Sequence, residues 1–303
     1  MNYNFLTILG PTATGKTRIA AQIANDFDGE IISADSRQVY KGMDIGTGKD
    51  LIEFQLLNIK YHLIDIIEPT EEYNLFRFKN DFQSAYNQIT IKNKLPVLVG
   101  GTGLYLSAIL QHYHLPEITN KEEIEKLNHH TKSKLKEILL DLKPKLHNVT
   151  DLNDKERLIR AILIEESRKE NKRNFEQLNS LNMGIKLNRN EIKNRITKRL
   201  KERLANGMIE EIEGLLNKGI SSEKLYYFGL EYRFVSQYLE SKLNYNDMFQ
   251  KLNSAIHNFA KRQMTWFRKM EREGVKINWF SPDNYIEIKN FVALKLNEPK
   301  KIS

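Results

Sequence analysis

The chain opens with an apolar run, Phe5-Leu-Thr-Ile-Leu, that stops at Gly10, and a short run ended by glycine predicts a buried strand. Arg18-Ile-Ala-Ala-Gln-Ile-Ala follows and reads as a helix. Gly29-Glu-Ile-Ile-Ser-Ala is a second short strand, running into polar residues at Asp35 and Ser36. Lys41 to Lys49 holds three glycines and predicts an irregular loop, a natural wall for a substrate. Tyr61 to Ile67 predicts a third strand, ended by Glu68-Pro69, and Phe78, Phe82, Ala85 and Ile89 form one face of a helix over 76–89. Pro96-Val-Leu-Val then leads into a second glycine turn, Gly100 to Gly103, and another helix. Strands alternating with helices predict a parallel sheet, in which loops after the strand ends share one edge. Asp35 and the Gly10 loop then face one crevice, and Thr102 is brought toward the same pocket.

The pattern changes further on. Glu122 to Arg173 has no glycine, one proline and many Lys, Glu and Leu residues, which predicts helices without strands. Arg189 to Leu216 reads as one long amphipathic helix, with Ile192, Ile196, Leu200 and Leu204 in a core-facing row. A final helical stretch over Leu252 to Glu271 carries Arg262, Trp266 and Lys269 at i, i+4 and i+7, cations beside an aromatic that suit phosphate binding and base stacking. Trp266 and Phe267 equally suit docking the helix on the sheet, which is the expectation favoured for the aromatics. The expected division is a catalytic core of 1–112 and 183–303, and an inserted all-helical lobe of 113–182.

Composition narrows the function. The 303 residues contain no cysteine, which excludes a disulfide framework, a Cys-ligated metal centre and a thiol nucleophile, and fits a cytoplasmic location. No apolar run reaches the ~18 residues of a membrane span, and the N-terminus enters the first strand without an export signal. A formal net charge of +8 suggests a polyanionic partner. The excess concentrates at Arg189, Lys193, Arg195, Lys198, Arg199, Lys201 and Arg203, against Glu191 and Glu202. Arg157 and Arg160, three apart, suit straddling phosphates, and equally suit a solvated face.

Gly10-Pro-Thr-Ala-Thr-Gly-Lys-Thr, between a strand and a helix, fits the phosphate-loop (P-loop) pattern of nucleotide-binding proteins. Gly10 and Gly15 let backbone amides close around a polyphosphate, and Pro11, Thr12, Ala13 and Thr14 complete the turn. Lys16 adds a full positive charge where the helix N-terminus adds a partial one, and the Thr17 hydroxyl is placed to hold Mg²⁺. The loop leaves the phosphate compound open. The expected fold is a P-loop NTPase-like α/β parallel sheet flanked by helices, with the inserted helical lobe.

Five blocks in order together resemble the tRNA dimethylallyltransferase (isopentenyltransferase) family. They are the Gly10 loop, Ala34-Asp-Ser-Arg-Gln-Val-Tyr-Lys-Gly-Met-Asp-Ile-Gly-Thr, His62-Leu-Ile-Asp, Val99-Gly-Gly-Thr-Gly-Leu-Tyr-Leu, and Ala260-Lys-Arg-Gln-Met-Thr-Trp-Phe-Arg. The resemblance implies transfer of a dimethylallyl group from dimethylallyl diphosphate to N6 of the adenine 3′-adjacent to the anticodon of tRNA. It implies Asp35 as general base, and a diphosphate held by the loop from Gly10 to Thr17 with Mg²⁺. It further implies tRNA contacts from Asp35, Ser36, Arg37, Gln38, Thr102, Glu156, Arg157 and Arg160, and a monomer is expected. Two departures weaken RNA contacts: Glu156 replaces the family's common Gln, and Tyr226-Tyr-Phe-Gly-Leu-Glu-Tyr lacks a Lys usual there. The residues alone leave open an ATP-dependent small-molecule kinase and an RNA-binding protein with a vestigial loop. The basic helix and the Asp35 block argue against the kinase.

Overall fold

In the computed structural model, residues 3–113, 121–142, 155, 158–159, 161–163 and 178–298 are described. Strand β1 (Phe5–Leu9) lies at the centre of a parallel sheet of six strands. It pairs with β4 (Leu95–Gly100) on one side and β5 (Ser180–Ile185) on the other. Beyond β4 lie β2 (Gly29–Ala34) and the two-residue β3 (Tyr61–His62), and beyond β5 lies β6 (Asn278–Phe280). The order is β3-β2-β4-β1-β5-β6.

Both faces of the sheet are covered, which is why β1 reads as a continuous apolar run rather than an alternating one. Leu6 and Ile8 pack on one face with Ile19 and Ile23 of α1 (Lys16–Asp26). Phe5 and Leu9 pack on the other with Phe78 and Phe82 of α3 (Leu75–Ile91), which follows the short α2 (Ile52–Leu56). On this second face the core continues through α4 (Gly103–Leu110) and the later helices. Register aligns Leu9 with Gly100 and Ala34 with Gly100, so the ends of β1, β2 and β4 come level at one edge.

The chain divides into two compact units, 1–111 with 178–303, and 112–177. Strand β5 begins at Ser180 opposite Phe5, so 178–182 belong with the sheet rather than with the lobe expected over 113–182. In the second unit, α5 (Lys121–Asn128) and α6 (Lys132–Leu142) precede helical backbone at 158–159 and 161–163. Leu135, Leu139, Leu158, Ile159 and Ile162 form its own apolar cluster.

Three expectations need correction. The helix expected over 189–216 is two, α7 (Arg189–Ala205) and α8 (Met208–Asn217), because Gly207 adopts a left-handed φ of 98° between them. The third strand ends at His62: Leu63 and Asp65 take φ of 63° and 55°, and the Asp65 and Ile66 amides turn to the carbonyls of Gln38 and Val39. The last helical stretch is not final. α9 (Ser222–Phe228) and α10 (Leu230–Leu239) precede it, it spans Tyr245–Arg272 as α11, and β6 and α12 (Tyr285–Asn297) follow. Among the described residues no helix is long and apolar enough to cross a membrane.

Candidate active site

The Gly10 loop joins β1 to α1 as the motif requires. Gly15 has φ 82°, a conformation open to glycine, and Ala13 holds a left-handed φ of 63°. The Thr14 hydroxyl donates to the Pro11 carbonyl at 2.9 Å and Lys16 Nζ donates to the same oxygen at 3.3 Å, which closes the loop on itself. Among the described residues no side chain caps α1, so its first amides remain available to an anion beside Lys16. Burial, then the charge of Arg199, lowers the Lys16 pKa from 10.5 to about 8, while Asp35 and Asp50 pull the other way.

A cavity of about 360 Å³ opens over this edge. Thr12, Lys16 and Thr17 line it from the loop, and Asp35, Ser36, Arg37 and Gln38 line it from the turn after β2. Thr102 reaches it from the second glycine turn, as does Trp266 from α11. Asp35 caps its own turn, its Oδ1 accepting the Arg37 amide at 3.0 Å. The Thr102 hydroxyl accepts the Ser36 amide at 3.3 Å, which ties the β2 and β4 turns together. Gln38 has its oxygen engaged by the Ser33 hydroxyl at 2.9 Å and donates to Gly48 O at 3.2 Å. Arg37 donates to Glu231 at 3.3 Å and stands over the Phe259 ring.

The sequence does not place Gln263, Arg199 or Arg203 at the cavity, and it suits Trp266 both to base stacking and to docking. Gln263, buried on α11, accepts the Thr12 amide at 2.9 Å and donates to Gly101 O at 2.9 Å, so one side chain clips the two glycine turns together. Trp266 packs against Gly103, where a Cβ would overlap its ring, and donates from Nε1 to Ser107 at 2.8 Å. It both docks α11 and lines the cavity. Arg199 and Arg203 look like members of the basic stripe of α7, yet they line the cavity. Their i, i+4 spacing was the available signal. Burial, then Arg199, brings the Arg203 pKa down from 12.5 to about 10.

The loop after β2 forms one wall, with Thr47, Gly48 and Lys49 on the cavity. Lys49 is a staple: its buried Nζ donates to Tyr40 O at 2.6 Å and to Asp44 at 2.7 Å, and it pairs with Asp65. Asp50 pairs with Arg199. Glu211 of α8 holds the outer part of this loop, accepting the amides of Asp44, Ile45 and Gly46 at 2.7, 2.6 and 3.0 Å. A second groove of about 600 Å³ touches the phosphate loop at Pro11 and carries Lys186, Arg189, Lys193, Lys261 and Arg268. Glu156, Arg157 and Arg160 lie outside the described residues.

Among the described residues no group of three His, Cys, Asp or Glu could hold a metal. The cavity offers oxygen donors instead, the Thr17 hydroxyl and the carboxylates of Asp35 and Asp50. Such a sparse set suits Mg²⁺, which keeps waters and is bound largely through substrate phosphates. The arrangement brings the Lys16 amine, the Thr17 hydroxyl and the Asp35 carboxylate to one cavity.

Residues 38–270 match the family model described as IPP transferase, and residues 3–62 match that described as isopentenyl transferase. A protein named tRNA dimethylallyltransferase 1 from Geotalea daltonii is 52% identical over 281 residues, covering 92% of this chain and 91% of that protein. One of the same name from Geotalea uraniireducens is 51% identical over 287 residues, covering 93% and 94%. Among solved structures, the tRNA isopentenylpyrophosphate transferase of Bacillus halodurans superposes with a TM-score of 0.71 at 30% identity, covering 98% of this chain and 97% of that one. Similarity of this depth, running from the phosphate loop through α11, makes this chain a member of the IPP transferase family, whose enzymes are prenyltransferases.

Proposed function

We propose that this enzyme transfers a dimethylallyl group from dimethylallyl diphosphate to N6 of the adenine 3′-adjacent to the anticodon of tRNA. The observation that carries the reading is that Lys16 and Thr17 share one cavity with Asp35. A diphosphate bound over the α1 N-terminus would hold its allylic carbon within the cavity that Asp35 also lines.

The exocyclic amine of adenine is a poor nucleophile because its lone pair is delocalised into the ring. Asp35 accepts the N6 proton as the new N6–C bond forms and the allylic C–O bond breaks, with the bonding pair leaving on pyrophosphate. Lys16 and the loop amides stabilise that developing charge. The Thr17 hydroxyl would hold Mg²⁺, which when bound would supply further charge neutralisation to the leaving group.

For adenine to enter the cavity it must leave its stack, and Ser36, Gln38 and Thr102 border the place it would take. Trp266 offers an aromatic wall. The basic groove of Lys186, Arg189 and Lys193 suits phosphates of the RNA backbone, giving affinity without sequence choice. The family resemblance implies further RNA contacts from Arg157 and Arg160. The relatives' names, which specify tRNA and dimethylallyl transfer, support the same substrates.

The test is transfer of label from dimethylallyl diphosphate to unmodified tRNA transcripts, with or without the adenine run in the anticodon loop, and with γ-labelled ATP in parallel. Label entering only the adenine-rich loop is expected. Consumption of ATP with the prenyl donor ignored would replace this reading with a kinase.

A further inference from the structure

Glu231 is an unusual tenant of a site that must bind a polyanion. It sits in the first turn of α10 with its side chain only 9% exposed, and it lines the same cavity as Lys16 and Asp35. Its two oxygens are divided between arginines from different elements. Oε2 accepts from Arg37 Nη1 at 3.3 Å, and Oε1 lies 3.6 Å from Arg203 Nη1. Arg37 belongs to the turn that carries Asp35. Arg203 belongs to α7 and also borders the opening beside Ala13 and Gly15 of the phosphate loop.

A buried ion pair is rarely retained for stability, since desolvating both charges offsets most of the attraction. This one carries an added cost, because Arg203 is 15% exposed and sits within the field of Arg199. Lys16, Arg37, Lys49, Arg199, Arg203 and Arg262 line the cavity together with Asp35, Asp50 and Glu231. The cations outnumber the carboxylates, and a diphosphate would offset the excess. A guanidinium has five donors in a planar fork suited to phosphate oxygens, and Glu231 engages only one edge of it.

We propose that Arg203 is a diphosphate ligand of this enzyme beyond the phosphate loop, and that Glu231 is its positioning residue. Through Arg37, Glu231 also links the diphosphate end of the cavity to the turn carrying Asp35. The proposal rests on the reading of the cavity as a prenyl-transfer site. Glu231, neutralised by two arginines, acts through them and not as a second base.

The test is calorimetric binding of inorganic pyrophosphate with Mg²⁺ to the full chain, together with steady-state transfer kinetics. Arg203→Met is expected to weaken pyrophosphate binding, and to raise KM for dimethylallyl diphosphate, by about tenfold or more. KM for RNA should stay within about twofold. Arg203→Lys, which keeps the charge, should recover part of the loss. If Arg203→Met does not fold, Arg203→Gln, which keeps a polar contact to Glu231, is read in its place with the same expectation. Glu231→Gln should raise KM for the prenyl donor while kcat changes little.

Pyrophosphate affinity unchanged in Arg203→Met overturns the ligand role, and a collapse of kcat in Glu231→Gln at unchanged donor KM overturns the positioning role. Wild-type protein that binds no pyrophosphate sinks the prenyl-transfer reading as well. Wild-type binding that survives Arg203→Met sinks this inference alone.

Discussion

Gln263 holds the backbone amide of Thr12 at 2.9 Å, and with its other side-chain atom it holds the carbonyl of Gly101. The separation of the two glycine turns is thereby set by one glutamine from α11. Gln263→Leu keeps the volume but leaves two backbone groups without partners. It should lower stability by about 2–4 kcal/mol, read by chemical denaturation, and reduce kcat as the turns drift apart. A denaturation midpoint equal to the wild type would remove the clip from the account.

Asp35→Asn retains an oxygen for the Arg37 amide and loses the ability to take a proton. Single-turnover transfer should fall by about 10²–10⁴-fold, while filter-binding affinity for tRNA stays within about 1–2 kcal/mol. Transfer at the wild-type rate by the Asp35→Asn enzyme would exclude Asp35 as the base.

Lys16 supplies a pH dependence. Its pKa of about 8 in the folded protein, against the ordinary value of 10.5, means it loses its proton on raising pH before the unfolded chain does. Between those values the unfolded state binds more protons, so stability rises with pH through the window. The cost of the buried charge is present in full below about 8. Donor binding runs the other way, since a diphosphate prefers the protonated amine. Pyrophosphate affinity should weaken as pH rises above about 8, and Lys16→Arg should flatten that limb of the profile. Identical profiles for the two proteins would remove Lys16 as the titrating group.

Glu211 collects three successive backbone amides and the hydroxyl of buried Tyr232, which donates at 2.8 Å. Glu211→Ala should cost about 3 kcal/mol of stability, and Glu211→Gln clearly less. Hydrogen exchange at Asp44, Ile45 and Gly46 reports the effect directly. Protection unchanged in Glu211→Ala would mean that Glu211 does not hold the loop.

The phosphate loop and the position of Asp35 were legible in the sequence because each depends on local order: a strand, its end, and the residues that follow. Gly100 to Gly103 was legible for the same reason. Gln263 was not, since its role depends on Thr12 and Gly101, both far away along the chain. Arg199 and Arg203 were visible as charges but not as cavity residues, because cations surround much of α7 and only its packing selects which face turns inward. Gly207 gives no decisive break in the sequence, since an isolated glycine within a helical pattern can be tolerated at a cost of about 1 kcal/mol. The short β3 had no local marker, as neither Leu63 nor Asp65 announces a left-handed backbone. The turn-forming role of Glu211 required the loop and α8 to be seen together.

The position of β1 at the centre of the sheet has a consequence for biogenesis. Phe5 to Leu9 leave the ribosome ahead of both strands they pair with, Leu6↔Val97 on one side and Phe5↔Ser180 on the other. The β5 side of β1 therefore stays open until β5 has been synthesised, after residues 112–177 have emerged and had time to assemble their own apolar cluster. Pairings of such sequence separation are slow to close and expose apolar strand surface while they wait. Nascent chains halted before Ser180 should accordingly engage chaperones through β1 and β4, and should acquire a protease-resistant phosphate loop only when elongation passes Ile185.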